Sequence, residues 1–275
     1  MTATGCLDGS TLVLNQQAEA HRIAADLRVQ FSQAADASNR AVMADTDESS
    51  SAAANEAEQT TRAVERDVEA LRPILQSLTF RDELRQLDSF KALFAQYRAL
   101  DADILPLAVE NTNIKAQRLS FGPAQDAVNL FRASLDAAPR RSSAKNDGEV
   151  LVARATAAVL EIQVIQARHI AESSEDAMSR MEAAMAASEA AARKALGALK
   201  GLFPPAAETQ LNAAATALDR FTAINAEIVT LSRRNSNVRS LALSLGKKRT
   251  VTAECDDILQ ALEEALAKHH FAATR

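Results

Sequence analysis

Residues 96–122 read QYRALDADILPLAVENTNIKAQRLSFG, and residues 220–246 read RFTAINAEIVTLSRRNSNVRSLALSLG. The two stretches align without a gap at an offset of 124, and about a third of their positions are identical. The identities include Ile104/Ile228, Leu107/Leu231, Asn111/Asn235, Asn113/Asn237, Leu119/Leu243, Ser120/Ser244 and Gly122/Gly246. Upstream, residues 44–48 (ADTDE) resemble residues 171–175 (AESSE) at an offset of 127. Self-similarity over this distance marks an internal duplication.

Each copy carries the period of amphipathic helices. Leu87, Phe90, Phe94, Tyr97, Ile104 and Leu107 fall on one stripe in three- and four-residue steps. Val64, Val68, Leu71, Leu75 and Leu78 make another, and Ala155, Val159, Ile162, Ile165 and His169 a third. Met178, Met181 and Met185 read as core packing rather than a binding surface. Thr46-Asp47-Glu48 and Ser173-Ser174-Glu175 have the hydroxyls and acids of helix starts. Leu78-Thr79-Phe80 and Phe203-Pro204-Pro205 read as breaks, and Asn111-Thr112-Asn113 and Asn235-Ser236-Asn237 as turn or cap signals. The spacing predicts helices over 10–44, 46–78, 80–110 and 113–138, then over 149–171, 174–200, 206–233 and 237–270.

The expected fold is therefore all-α: two tandem antiparallel up-down-up-down four-helix bundles. Bundle 1 is expected over 8–138, a linker (PRRSSAKNDG) over 139–148, and bundle 2 over 149–271. Side-by-side packing as a covalent pseudo-dimer is expected, with end-to-end stacking as the alternative.

Composition agrees. The chain of 275 residues holds only 7 Gly and 6 Pro, and alanine fills roughly a fifth of it. Few turn residues and many strong helix formers exclude sandwiches and parallel α/β sheets. The net charge is −5, with about −7 in residues 1–138 and about +2 in 139–275. That balance argues against a nucleic-acid partner, since phosphate binding needs a basic face. The basic residues Arg233, Arg234, Arg239, Lys247, Lys248 and Arg249 read as a solvated helix face. Cys6 and Cys255 lie in no metal-ligand spacing, and no unbroken run of about 18 apolar residues occurs. A soluble chain without signal peptide or transmembrane helix is expected.

The helix order and its turn residues resemble the four-helix-bundle sensor (ligand-binding) domain of bacterial methyl-accepting chemotaxis proteins, present as a tandem duplication. The resemblance rests on Met43-Ala44-Asp45-Thr46-Asp47-Glu48, Leu105-Pro106-Leu107-Ala108 and Leu119-Ser120-Phe121-Gly122-Pro123-Ala124. In the second copy it rests on residues 170–173 (IAES), 226–231 (AEIVTL) and 243–246 (LSLG). It implies an extracytoplasmic, periplasmic-type sensor for a small solute, coupled to signal transduction. The membrane tether and signalling module would lie outside this stretch. Because duplication can replace dimerisation, a monomeric pseudo-dimer is expected rather than a homodimer.

In such a bundle Arg40, Arg168 and His169 would approach the asparagine turns. Asn111, Asn113, Lys115 and Arg118, and Asn235, Asn237 and Arg239, would face the same pole. Guanidinium groups, amides and a helix N-terminus suit an anionic organic acid or amino acid. The alternative is that the asparagines are caps, the arginines are solvated and His169 is a satisfied core residue. Ser120-Phe121-Gly122-Pro123 should weaken or kink its helix, or pack closely at Gly122.

No catalytic role is expected. The Glu-x-x-His pairs of a di-iron bundle are absent, as are a phosphate loop, a dinucleotide turn and a nucleophile elbow. No metal or cofactor is expected. A non-catalytic structural or partner-docking module is the alternative to a solute sensor.

Overall fold

The computed structural model describes residues 5–140 and 145–273, with side chains over 11–140 and 146–269. Among the described residues there is no strand. The helices are α1 (Gly5–Met43), α2 (Asp47–Ser77), α3 (Arg81–Glu110), α4 (Thr112–Leu119), α5 (Gln125–Ala137), α6 (Lys145–Ala171), α7 (Glu175–Leu202), α8 (Glu208–Arg234), α9 (Ser236–Leu243) and α10 (Arg249–Ala273). A π turn, Ser120–Ala124, joins α4 to α5, and its repeat mate, Ser244–Lys248, joins α9 to α10. The all-α class and the helix positions follow the sequence periodicity. The linker is shorter than expected, because α6 already begins at Lys145. Cys6 lies outside the residues whose side chains are described.

Local chemistry explains the breaks. The Thr46 hydroxyl accepts from the Ser49 N–H at 3.0 Å, with Asp47 and Glu48 in the first turn of α2. The Ser174 hydroxyl does the same for Ala177 at 3.3 Å. At the end of α2, Phe80 N–H bonds to Leu75 O at 3.0 Å and Thr79 N–H to Gln76 O at 3.1 Å. That is a Schellman closure, with Thr79 in the left-handed region at φ 59°.

Packing divides the chain into two compact units. Unit 1 is Met1–Glu110 with Arg239–Arg275, and unit 2 is Asn111–Val238. In unit 1, α1, α2, α3 and α10 surround a core of Leu27, Phe31, Leu71, Phe90, Tyr97 and Leu259. Phe31 sits edge-on to Phe90, Phe94 and Tyr97, with ring centroids 5.3–6.1 Å apart. In unit 2, α4–α5, α6, α7 and α8 bury Val128, Phe131, Ile162, Leu199, Leu218 and Phe221. Met178 and Met185 are buried, as a core stripe should be.

The expected boundaries of 8–138, 139–148 and 149–271 follow the repeat, not the packing. The fourth helix of the first copy, α4–α5, belongs to unit 2, and α10 belongs to unit 1. The reason is the connection. Only Asn111 separates α3 from α4, and only Asn235 separates α8 from α9. An antiparallel helical hairpin needs about 2–5 connecting residues. A single connecting residue is too short for that hairpin, so the fourth helix does not fold back onto its own three.

One described helix, Asn146–Ala171, is long and apolar enough to cross a membrane by length and composition. It is interrupted by Arg154, Glu161 and Arg168, and its Ala155, Val159, Ile162 and Ile170 are buried in the unit 2 core.

Candidate functional site: a capped asparagine cluster and a groove

The four asparagines do come together, within unit 2. Asn111 and Asn235 take matching left-handed conformations, φ 52° and ψ 37° against φ 53° and ψ 37°. Asparagine tolerates this region better than most residues. Each ends one helix and lets the next start immediately. The new starts cap each other. Thr112 N–H donates to Ser236 Oγ at 3.0 Å, and Ser236 N–H to Thr112 Oγ1 at 3.0 Å. Asn113 N–H donates to Asn237 Oδ1 and Asn237 N–H to Asn113 Oδ1, both at 3.1 Å.

The side-chain amides are engaged as well. Asn113 Nδ2 donates to Asn235 Oδ1 at 2.7 Å and to Ile170 O at 2.6 Å. Asn237 Nδ2 donates to Asn111 Oδ1 at 2.8 Å, and Asn235 Nδ2 to Glu172 O at 2.7 Å. These groups serve orphan N–H and C=O groups at helix ends. The cluster therefore acts as a set of caps. A hydroxyl between two asparagines, repeated 124 residues apart, was its signal in the sequence.

The basic residues are divided between the units: Arg40 and Arg239 belong to unit 1, and Lys115, Arg118 and Arg168 to unit 2. Arg40 is exposed in unit 1 and pairs with Asp36 at 2.9 Å and Glu56 at 2.7 Å. Arg118, Arg168 and Arg239 are exposed, and Lys115 is half-buried. His169 is fully buried: its Nδ1 lies 2.8 Å from Ser232 Oγ and its Nε2 2.9 Å from Glu182 Oε1. Ser232 Oγ also donates to the His169 carbonyl at 2.8 Å. Serine, histidine and carboxylate stand here in the order of a hydrolytic triad, yet Ser232 is wholly buried and bonded to backbone. The arrangement ties α6, α7 and α8 together. Arg233 donates to the same Glu182 oxygen at 2.6 Å and holds that carboxyl below the usual carboxylate range.

Both π turns aim polar groups inward. In unit 2, Ser120 Oγ donates to Gln166 Oε1 at 3.0 Å, and Gln166 Nε2 to Asn225 Oδ1 at 2.7 Å. Pro123, which lacks an N–H, sits inside this turn, and the wider helix accommodates it. Close packing at Gly122 does not occur: a Cβ there would meet nothing within 4 Å.

In unit 1 the corresponding turn breaks the helix at Gly246, φ −86° and ψ −120°, and buries Lys248. Lys248 thus departs from the solvated face expected of it. Its ammonium donates to Asp101 Oδ1 at 2.5 Å and to Ser38 Oγ, and lies 4.9 Å above the Tyr97 ring. Ser38 Oγ donates to the same Asp101 oxygen at 2.7 Å. Burial pushes the Lys248 amine down from its ordinary value, and Asp101 pulls it up. Burial also pushes the Tyr97 hydroxyl up. Asp101 Oδ2 and the Tyr97 hydroxyl have no hydrogen-bond partner among the described residues.

A groove of about 620 Å³ opens above this pair, between α1 and the α9–α10 segment of unit 1. Phe31, Ala35, Val42, Leu241 and Leu245 supply apolar lining, and Asn39, Ser244, Lys248, Arg249 and Thr252 supply polar groups. Its two acids are already paired, Asp36 with Arg40 and Asp256 with Arg28 at 3.3 Å. Arg249 is exposed and has no ion-pair partner among the described residues. Sequence reading missed the groove, because a π turn and its inward lysine leave no mark in helical periodicity. Among the described residues no group of three or more His, Cys, Asp or Glu side chains is placed to hold a metal. Compared with known proteins, the chain matches no family model, no curated protein and no solved structure.

Proposed function

We propose that this chain is a solute-sensing helical module of the chemoreceptor type, and that its solute sits in the groove of unit 1. The carrying observation is the groove itself, an apolar lining beside one cation, Arg249, that no carboxylate occupies. An organic acid or amino acid with an apolar body suits it: the carboxylate meets Arg249 and the body covers Val42, Leu241 and Leu245. The ammonium of Lys248, a three-donor group bonded to Ser38 and Asp101, lies in the groove wall. The binding step needs no catalysis and no cofactor. In this reading the module acts as a monomer, periplasmic or otherwise extracytoplasmic, tethered to a membrane and a signalling part outside this stretch.

A thermal-shift panel of small carboxylates and amino acids tests the reading. A ligand at 100 times its Kd stabilises by about 2.7 kcal/mol. The expected hit vanishes on Arg249→Ala and survives Arg168→Ala. A hit that survives Arg249→Ala refutes this placement.

A second reading, a partner-docking module without a small ligand, draws on Met43 and Leu245, which line the groove yet are 71% and 63% exposed. It gains if the panel is silent and Leu245→Glu abolishes association with a signalling partner.

A further inference from the structure

The two units hold unlike polar clusters at matching places. The offset of 124 maps Asp101 onto Asn225, Ser244 onto Ser120, and Lys248 onto Ala124. Unit 1 thus encloses an ammonium–carboxylate pair, with Lys248 2% and Asp101 6% exposed. Unit 2 holds a neutral trio there, with Ser120 and Gln166 buried and Asn225 half-buried. The apolar seams of the two fourth helices match by contrast. Ala127 corresponds to Val251, Phe131 to Cys255 and Leu135 to Leu259, and all six are buried. Hydrophobic character alone does not tell one fourth helix from the other.

We propose that the Lys248–Asp101 pair is a matching device, which makes the first copy of the repeat accept the second copy as partner and refuse a second copy of itself. Each copy must give its fourth helix away, because a one-residue connection bars its return. If α4–α5 entered the α1–α2–α3 unit, Ala124 would face Asp101 and leave a buried carboxylate without its cation. If α10 entered the other unit, Lys248 would lie among Asn225 and Gln166 with no anion. A buried charge stripped of its partner is among the costliest defects in a core. Size acts in the same direction. Cys255 is small where Phe31, Phe90, Phe94 and Tyr97 fill unit 1, whereas Phe131 is large in the alanine-rich core of unit 2. Buried polar pairs that specify a partner at some expense of stability are well attested in helical assemblies.

The test uses the full chain with a protease site inserted within residues 139–148. The folded protein is cut, unfolded in denaturant, refolded as the mixture of its halves, and weighed by native mass spectrometry. With native residues, the expected product is a complex of one N-terminal and one C-terminal half. Pairs of two N-terminal halves should be at least about a hundredfold rarer than chance pairing allows. The double variant Asp101→Asn with Lys248→Ala copies the neutral residues of unit 2, and like pairs should rise toward the chance share. Moving the amine by Ala124→Lys with Lys248→Ala should favour pairs of N-terminal halves outright. Chance pairing with native residues overturns the proposal. So does a preference that both variants leave unchanged, which would assign the sorting to the aromatic seam.

Discussion

Thr112 and Ser236, 124 residues apart, cap each other's helices: each N–H is bonded to the other's hydroxyl at 3.0 Å. An N-cap is ordinarily supplied from the residue just before the helix. Here each start depends on a different copy of the repeat. Thr112→Ala and Ser236→Ala should each cost about 1–2 kcal/mol in denaturant unfolding. The double variant should cost less than the sum by about 0.5–1 kcal/mol, because the two hydroxyls also meet each other. Strict additivity would show the caps to be independent.

Thr79 closes α2 in a left-handed conformation that glycine adopts more readily. A β-branched residue there carries about 1–2 kcal/mol of steric cost. Thr79→Gly should therefore stabilise the protein by roughly 1 kcal/mol, read as a higher midpoint in urea with an unchanged slope. A loss of stability would mean that the Thr79 side chain makes a contact worth more than the strain.

Glu182 should contribute to the acid limb of stability. The hydrogen bond from Arg233 lowers its folded pKa, and His169 beside it adds to that, while burial opposes. A carboxyl depressed on folding stabilises above its unfolded value, about 4.3, and loses that contribution as pH falls through the folded value. Glu182→Gln should cost about 1–3 kcal/mol at neutral pH. The gap between the two proteins should narrow steadily below about pH 4. A gap that is the same at pH 3 and pH 7 would contradict this.

Cys255 is fully buried, and burial pushes its thiol up to about 12. Reaction needs the thiolate. In the folded protein at pH 8 Cys255 should resist a disulfide reagent and become available only at the rate of unfolding. Fast labelling under native conditions would show that α10 detaches locally.

The helices, their caps at Thr46 and Ser174, the buried stripes and the duplication were legible in the sequence because they are local. A period near 3.6, a hydroxyl ahead of two acids and a repeated string are all read without knowing what packs on what. His169 was legible as a core residue for the same reason, since it continues an apolar stripe. Its partners Glu182 and Ser232 were not, because they come from other helices.

What tertiary structure alone decided is which helices share a core. The repeat suggested that residues 8–138 close on themselves, yet Asn111 and Asn235 are each the whole of a connection and take φ near +50°. A string of residue types does not say which helices an asparagine turn hands the chain to. That depends on the hydrogen bonds it finds, and those come from the other copy. The same holds for Lys248. As a letter it belongs to a basic run; in the fold a π turn rotates it inward onto Asp101, 147 residues away in the chain. Local propensity set the elements, and long-range polar satisfaction set their partners.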